Sequence, residues 1–367
     1  MKIRKALLTA HLIAGLVSAV FLIISGVTGS VMVFEEPLDR ALNAKLSYVN
    51  PENHRLSLNE LKTRLETAHP GYRLALITMQ DVNNLSWPAS LVNTEQKQQM
   101  DIAVNPYNGQ IIGSLDQSNS LIGEVHQFHI RLLAGKAGQT VMFIAAILLL
   151  LLAISGLILW WPRKIFKINL RSSGKRFTFD LHNAVGIYSS LFLLVFSITA
   201  IVIHFDNELA DWIDHISGTT AKTPERPEPP KPDALQMSPD QLVAIAEQAV
   251  PGAHVRTIQL PGDPKRSAVF AMRFPEDLTP GGRTRVMLDS YTGKVLFVQD
   301  SRMGPLGFRM IKVWNRAIHT GDVLGWPSKL LVSFFSLMLP VMAITGPLIW
   351  WGRRKKESQP KTVGQMA

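Results

Sequence analysis

Ten histidines and no cysteine stand in this chain of 367 residues. Four of the histidines fall into two matched pairs. His11, followed by Gly15, matches His182, followed by Gly186, at an offset of 171. His129, with Gly156, Trp160 and Trp161 behind it, matches His319, with Gly346, Trp350 and Trp351, at an offset of 190. Neutral imidazoles that face one another between helices suit an iron porphyrin, which takes one ring nitrogen on each side of the iron. Small residues such as Gly15, Gly29, Gly156, Gly186 and Gly346 would leave room for the macrocycle. Zinc is the competing reading, but two histidines per site without carboxylate or thiolate are too few. The bland alternative is that the histidines bond carbonyls or face lipid headgroups. The lack of cysteine excludes disulfides, thiolate nucleophiles and Cys-ligated metal centres. The expected cofactors are therefore two b-type haems, with iron bound by His11 and His182 at one end and by His129 and His319 at the other.

Further side chains stand near these pairs. His126 precedes His129 by one helical turn, so it could replace it as a ligand or meet a propionate. Arg316 occupies the place equivalent to His126. Arg131 and Arg316 are propionate candidates, and His204, near the outer end of the third apolar run, is a candidate contact of cofactor or substrate. His54, His69, His215 and His254 are expected to be solvated or packed outside the membrane.

The elements that must carry these histidines are four apolar runs of about 12–34, 139–161, 183–205 and 328–351, each long enough to span a bilayer as a helix. Charged residues make up only 18% of the chain, against about a quarter in soluble proteins. Three short segments beside the spans hold the basic excess: Lys2, Arg4 and Lys5; Arg163, Lys164, Lys167, Arg171, Lys175 and Arg176; and Arg353, Arg354, Lys355, Lys356 and Lys361, with Glu357 as their one acid. They more than account for the net charge of +10. This is a positive-inside pattern, which removes nucleic acid as a partner and puts both termini on the cytoplasmic side. Trp160, Trp161, Trp350 and Trp351 meet the basic flanks where an aromatic belt is expected. The first run exceeds a signal-peptide core and lacks a clear cleavage site, so it reads as an uncleaved span.

The connecting segments repeat as well. Leu61, Pro70 and Gly71 match Leu242, Pro251 and Gly252, and Tyr107 and Gly109 match Tyr291 and Gly293. Each unit reads as span, external domain, span, and both start and end inside, so the expected arrangement is two parallel repeats. The external segments are expected to be two small α+β modules. The first has a helix over Ser57–Thr67 and strands at 74–78, 101–104 and 111–115. The second follows a Pro- and Glu-rich linker over Thr223–Pro232, with a helix over Pro239–Val250 and strands at 254–260, 267–273, 284–289 and 295–299. No catalytic triad, HExxH or phosphate-binding loop is present in either. From His129 to Trp160 is 31 residues, about 46 Å as straight helix. That is too long for the roughly 30 Å core, so Gly135, Gly138, Gly321 and Gly325 are expected to bend the chain.

Jointly, these motifs resemble the PepSY-associated transmembrane family. They are His11-x-x-x-Gly15, Thr28-Gly29 and Phe34-Glu35 in the first span, and Phe128-His129-x-x-Leu132-x-x-Gly135-x-x-Gly138 with Ser155-Gly156 and Trp160-Trp161-Pro162-Arg163 in the second. Leu181-His182-Asn183-x-x-Gly186 marks the third, and Ile318-His319-Thr320-Gly321 with Thr345-Gly346 and Trp350-Trp351 the fourth. Ser155 stands where that family usually has threonine, and Asn105-Pro106-Tyr107-Asn108-Gly109 departs from its usual Asp-Pro-Tyr-Thr-Gly. The resemblance implies an α-helical membrane protein of the bacterial inner membrane, with four transmembrane helices from two span–PepSY-like domain–span repeats and two α+β periplasmic modules. Its parts would be transmembrane helix 1 at 1–35, module 1 at 36–125, an interfacial segment with helix 2 at 126–162, a basic loop at 163–180, helix 3 at 181–205, linker and module 2 at 206–308, an interfacial segment with helix 4 at 309–352, and a tail at 353–367.

By the same resemblance the chain would be a di-haem ferric-siderophore reductase of the ferrioxamine reductase type. It would pass electrons to a ferric siderophore or another periplasmic acceptor. The cytoplasmic segments are too short for a dinucleotide-binding domain, so the donor would be quinol or a soluble reductase. The alternatives are a haem-free, membrane-anchored binding or regulatory protein that works through its modules, and a transporter, which spans broken by glycine or proline, such as Pro340 in span four, would favour.

Overall fold

The computed structural model describes residues 2–93, 95–96, 98–115, 120–219, 223–230, 234–263 and 265–357. Lys361 of the basic tail and the end of the expected linker, Lys231-Pro232, lie outside them. Two compact units are present, and chain order alternates between them. In sequence, the helices are α1 (Lys2–Met32), α2 (Glu35–Leu42), α3 (Ala44–Ser47), α4 (Leu58–Ala68), α5 (Leu121–Arg131), α6 (Gly135–Trp160), α7 (Gly174–His204), α8 (Asp206–Ser217), α9 (Pro239–Ala249), α10 (Arg316–Thr320), α11 (Trp326–Ser336) and α12 (Met338–Glu357). A π-helical turn, Phe308–Asn315, leads into α10. Strands β1 (Tyr72–Thr78), β2 (Trp87–Asn93), β3 (Gln98–Val104) and β4 (Ile111–Ser114) follow α4, and β5 (His254–Gln259), β6 (Ala268–Arg273), β7 (Thr284–Leu288) and β8 (Val295–Gln299) follow α9.

The first unit holds Met1–Phe34, Glu124–Phe205 and Ile318–Ala367. Its helices α1, α6, α7 and the pair α11–α12 are long and apolar enough to cross a membrane. Ile13, Val17, Leu151, Ile158, Leu191 and Leu348 stand exposed along them, a surface that lipid satisfies and water does not. Helix α1 packs on α6 and α12, and α7 packs on the same two helices, so α1 and α7 oppose each other across the bundle. Leu22, Leu149, Ala153, Leu193, Phe196, Leu339 and Ala343 form the buried middle. Phe192 and Phe335 stack there at 3.8 Å between ring centroids.

The fourth span is interrupted between Ser336 and Met338, and Pro347 lies inside α12 in addition to Pro340 near its start. Proline has no N–H for the carbonyl four residues back, which for Pro340 is that of Ser336. Helix α1 fills the gap. A Cβ on Gly26 would meet Pro340 Cδ at 2.5 Å and the Ser336 carbonyl at 2.7 Å. Only glycine permits this approach, and Ser336 Oγ donates to the Gly26 carbonyl at 3.1 Å. The expected bends before the spans occur at Gly135, Gly321 and Gly325, all with positive φ, and Leu132 and Leu133 join Gly135 in the left-handed region. Gly138 lies inside α6. Its role is close packing, because a Cβ there would strike the Arg131 carbonyl at 1.7 Å.

The second unit holds Glu35–Gly123 and Asp206–Ala317. The sequence suggested two separate modules. Instead, all eight strands form one antiparallel sheet in the order β4-β3-β2-β1-β5-β6-β7-β8. The join is β1 with β5, through Leu76–Gln259, Ile77–Ile258 and Thr78–Thr257. Left apart, each half would expose an apolar edge strand with unpaired backbone groups, and pairing removes both edges at once. Helices α4 and α9 cover one face. Leu61, Leu65, Leu242 and Ala246 pack there on Leu74, Ile77, Leu91, Ile102, Ile258, Phe270 and Leu288. Strand β2 is not among the strands expected from the sequence, and its Pro88 is a residue that disfavours an interior strand. The signal was the alternation of Trp87, Ala89, Leu91 and Asn93, all of which are buried.

Both helices start with a capping box, Ser57 with Glu60 and Ser238 with Gln241. The Ser57 backbone N–H holds the exposed Glu60 carboxyl below the usual carboxylate range. The start of α4 has a further cap from the other half of the unit: the Asp240 carboxylate accepts from the N–H groups of Leu58 at 2.9 Å and Asn59 at 2.8 Å. An anion at a helix N-terminus satisfies orphan donors and complements the dipole. Asp240→Ala is expected to cost about 1–2 kcal/mol, read as a lower thermal midpoint for loss of β-structure by circular dichroism. An unchanged midpoint would show that water replaces the carboxylate without loss.

Candidate functional site

Each of the four paired histidines is held by a neighbouring element in one way. His11 Nδ1 lies 2.8 Å from Ser155 Oγ on α6. His182 Nδ1 lies 2.8 Å from Thr345 Oγ1 on α12. His129 Nδ1, at the end of α5, lies 2.8 Å from Thr28 Oγ1 on α1. His319 Nδ1, in α10, lies 2.8 Å from Thr199 Oγ1 on α7. Thus α1 offers a histidine at one end and a hydroxyl for a histidine at the other, and α7 does the same.

The tautomer follows from the hydroxyls. A hydroxyl has one proton. Ser155 gives its proton to the Leu151 carbonyl at 2.6 Å and Thr345 to Val341 at 2.7 Å. Thr28 gives its proton to Ile24 at 2.6 Å and Thr199 to Val195 at 2.6 Å. A carbonyl cannot donate, so those protons are committed, and each hydroxyl oxygen must accept from the imidazole. Nδ1 therefore carries the ring proton, and Nε2 is the basic nitrogen with an in-plane lone pair. A histidine whose Nδ1–H is bonded to an acceptor while Nε2 stays basic is the form that binds metals.

Glycines stand beneath these rings. A Cβ would come 3.4 Å from His11 Cε1 at Gly156, 3.6 Å from His182 Cε1 at Gly346 and 3.2 Å from His129 Cε1 at Gly29. At Gly186 it would come 3.1 Å from the Met342 methyl, and at Gly15 3.7 Å from a Leu152 methyl. His11 and His182 line one cavity of about 510 Å³ inside the helical unit, together with Gly15, Gly156, Gly186 and Gly346. Its volume falls in the roughly 300–1,000 Å³ range of cofactor sites. Leu22, Leu149, Leu193 and Leu339 close it toward the middle of the bundle, and Arg4, Lys5, Arg163 and Arg353 line its other end. These four cations were read in the sequence as topology signals alone. Their place on the wall of a cofactor-sized cavity also makes them candidate partners for a bound carboxylate.

The chemistry of the donors fits a b-type haem: two opposed neutral imidazoles, apolar walls, small residues beneath the rings, and cations at one end for two propionates. Of the two tryptophan pairs, Trp160 and Trp350 line this cavity. The buried Trp160 donates Nε1–H to the Ile165 carbonyl at 2.9 Å. Trp161 and Trp351 are exposed on the outside of the bundle, where an interfacial belt would place them.

The other candidates differ from these four. His204 lies flat on Phe143, with centroids 4.0 Å apart and planes at 13°, and edge-on to Phe205. His126 lies on α5, half-buried, one turn before His129. Arg131, at the end of α5, is exposed, and Arg316 opens α10. His254 sits 3.6 Å from Glu247 in the sheet unit, and His54 and His215 are exposed. Among the described residues, no group of three or more His, Cys, Asp or Glu side chains is placed to hold a metal ion.

Four apolar helices around a cofactor-sized cavity, with a separate antiparallel sheet unit, define a multi-pass helical membrane protein carrying an extramembrane domain. The chain belongs to the family described as the PepSY-associated TM region, whose model matches residues 8–353, nearly its whole length. No curated protein matches it.

Proposed function

We propose that this membrane protein is a di-haem b oxidoreductase of the bacterial inner membrane. It carries electrons from quinol or a soluble cytoplasmic reductase to a periplasmic acceptor, an Fe(III)-siderophore. The observation that carries the reading is the shared tautomer: four histidines give Nδ1–H to hydroxyls whose own protons are committed, which leaves four basic Nε2 atoms, with His11 and His182 lining one cavity. His11 and His182 would hold one haem, with Arg4, Lys5, Arg163 and Arg353 as propionate partners. His129 and His319 would hold the other, with His126, Arg131, Arg316 and His204 around it. Bound in these places, the haems supply one-electron exchange.

The chain's own residues orient the ligands, exclude water with the Leu22, Leu149, Leu193 and Leu339 layer, and hold the ring proton at Nδ1. A quinol releases two electrons and two protons, and each Fe(III) takes one electron to become Fe(II). Hard oxygen donors bind Fe(II) far more weakly, so the iron is released. In this reading the matched offsets are two parallel repeats, both termini are cytoplasmic, and the sheet unit is periplasmic, in line with the basic flanks. The break in the fourth span is the feature a transporter would also have, but the close packing of Gly26 on Ser336 and Pro340 fills it.

The test is a dithionite-reduced minus air-oxidised spectrum of the detergent-purified chain, with haem-to-protein ratio. Sharp b-type bands at about two haems per chain are the expected result. Folded protein without haem, made in haem-replete cells, would overturn the proposal and favour a haem-free binding or regulatory protein.

A further inference from the structure

The face of the sheet not covered by α4 and α9 carries a cavity of about 690 Å³, built wholly from the sheet unit. Its floor is one cross-strand row, Ser90–Leu76–Gln259–Val269–Met287, which runs over β2, β1, β5, β6 and β7. The floor therefore straddles the β1–β5 seam. A bulge in β1 between Leu74 and Leu76 puts the consecutive residues Ala75 and Leu76 on this wall. The rim is cationic. Arg73, Arg226, Lys265 and Arg266 line it, with Glu225 as the one acid among its lining residues.

That acid is already engaged. The Glu225 carboxylate pairs with Lys294 at 3.0 Å, and its backbone N–H is bonded to Leu296 of β8. None of the four cations has a carboxylate in ion-pair range among the described residues. Arg73 is the built-in one. Its Nε is buried without a hydrogen-bond partner, and its guanidinium lies so close to the Gly262 backbone that a Cβ there would fall 1.7 Å from a terminal nitrogen. Burying part of a guanidinium with a donor unmet is costly, and an anion in the cavity that Arg73 lines would offset that cost by attraction to its charge. A floor of Leu76, Val269 and Met287 together with Ser90 and Gln259, under a cationic rim, suits a ligand with flat apolar surface and several negative oxygens.

We propose that this cavity binds a polyanionic ferric chelate of the catecholate kind, so that the acceptor is selected by charge. The iron in this assignment rests on the reductase reading. The preference for an anion rests on the cavity alone.

Gallium(III) has the charge and nearly the size of iron(III) but is not reduced, so it reports binding without electron transfer. The test is equilibrium dialysis of the full-length, detergent-purified protein against a trianionic gallium tris-catecholate and against monocationic gallium ferrioxamine B. The trianion is expected to bind at least about tenfold more tightly, and its binding to weaken with rising salt. The double charge reversal Lys265→Glu with Arg266→Glu, at two exposed loop positions that do not threaten folding, is expected to abolish the preference. Gly262→Leu, which displaces the Arg73 fork, is expected to weaken the trianion alone. Equal binding of the two chelates, no binding, or an unchanged preference in the double variant would overturn the proposal. Haem content is read on the same samples. Gallium binding in a haem-free protein would sink the reductase reading and support the anion site, and normal haem without gallium binding would do the reverse.

Discussion

In detergent-purified protein, His182→Ala is expected to lower the haem-to-protein ratio from about two to about one, with the fold unchanged by circular dichroism. The effect is large because, in the proposed site, His182 would be one of only two residues that hold the haem. His182 and His11 line one cavity, and His182 Nδ1–H is bonded to Thr345. Among the described residues, no carboxylate, thiolate or third histidine lines the cavity to take its place. His11→Ala should give the same loss, and His11→Ala with His319→Ala should remove both haems. A full complement of haem in His182→Ala would sink the ligand assignment, whatever the activity of the variant.

Thr345→Val is expected to act on the same haem without touching a ligand. The substitution keeps the shape of the side chain and removes the oxygen that accepts from His182 Nδ1–H. The ring then loses both its lock on one tautomer and the polarisation that makes Nε2 a stronger donor. Partners of this kind are worth about 10–100-fold in affinity. The expected readings are haem transfer to an apo-globin faster by that factor and a higher midpoint potential, because weaker donation from Nε2 stabilises Fe(III) less. Thr345→Ser, which restores a hydroxyl, should recover both. Ser155→Ala makes the parallel test at His11. If Thr345→Val matched the parent in release rate and potential while His182→Ala lost haem, the histidine would be a ligand but the hydroxyl would have no tuning role.

Much of the site was legible in the sequence because its parts are costly where they stand. A histidine at or near the edge of an apolar run is conspicuous when it recurs, and matched spacing singled out His11, His129, His182 and His319 from ten. The glycines beneath the rings were legible for the same reason. The hydroxyls were not recognised as partners, although Thr28, Ser155 and Thr345 stood in the motifs quoted for the spans. Serine and threonine are common in membrane helices, and sequence does not say which oxygen meets which ring. His204 stands out in the sequence by its position near the outer end of the third span, and its ring stacks on Phe143.

The four spans and the two capped helices of the sheet unit follow from local rules: run length, period and cap chemistry act within about 20 residues. Most strands followed from the same rules; β2, which alternates but carries Pro88, was the exception. What the sequence by itself determined about this protein is therefore a helical membrane unit, interleaved with α+β segments, and a short list of histidines. The tertiary structure alone decided that the α+β segments share one sheet, since pairing between β1 and β5 depends on which edges are left open. It alone decided that the cations beside the spans line a cavity and that each histidine bonds a hydroxyl. Those facts join residues more than 100 positions apart, such as His11 with Ser155 and Thr28 with His129. Proton placement at such a pair depends on a third group, the carbonyl one turn back, which only the folded backbone brings to the same oxygen.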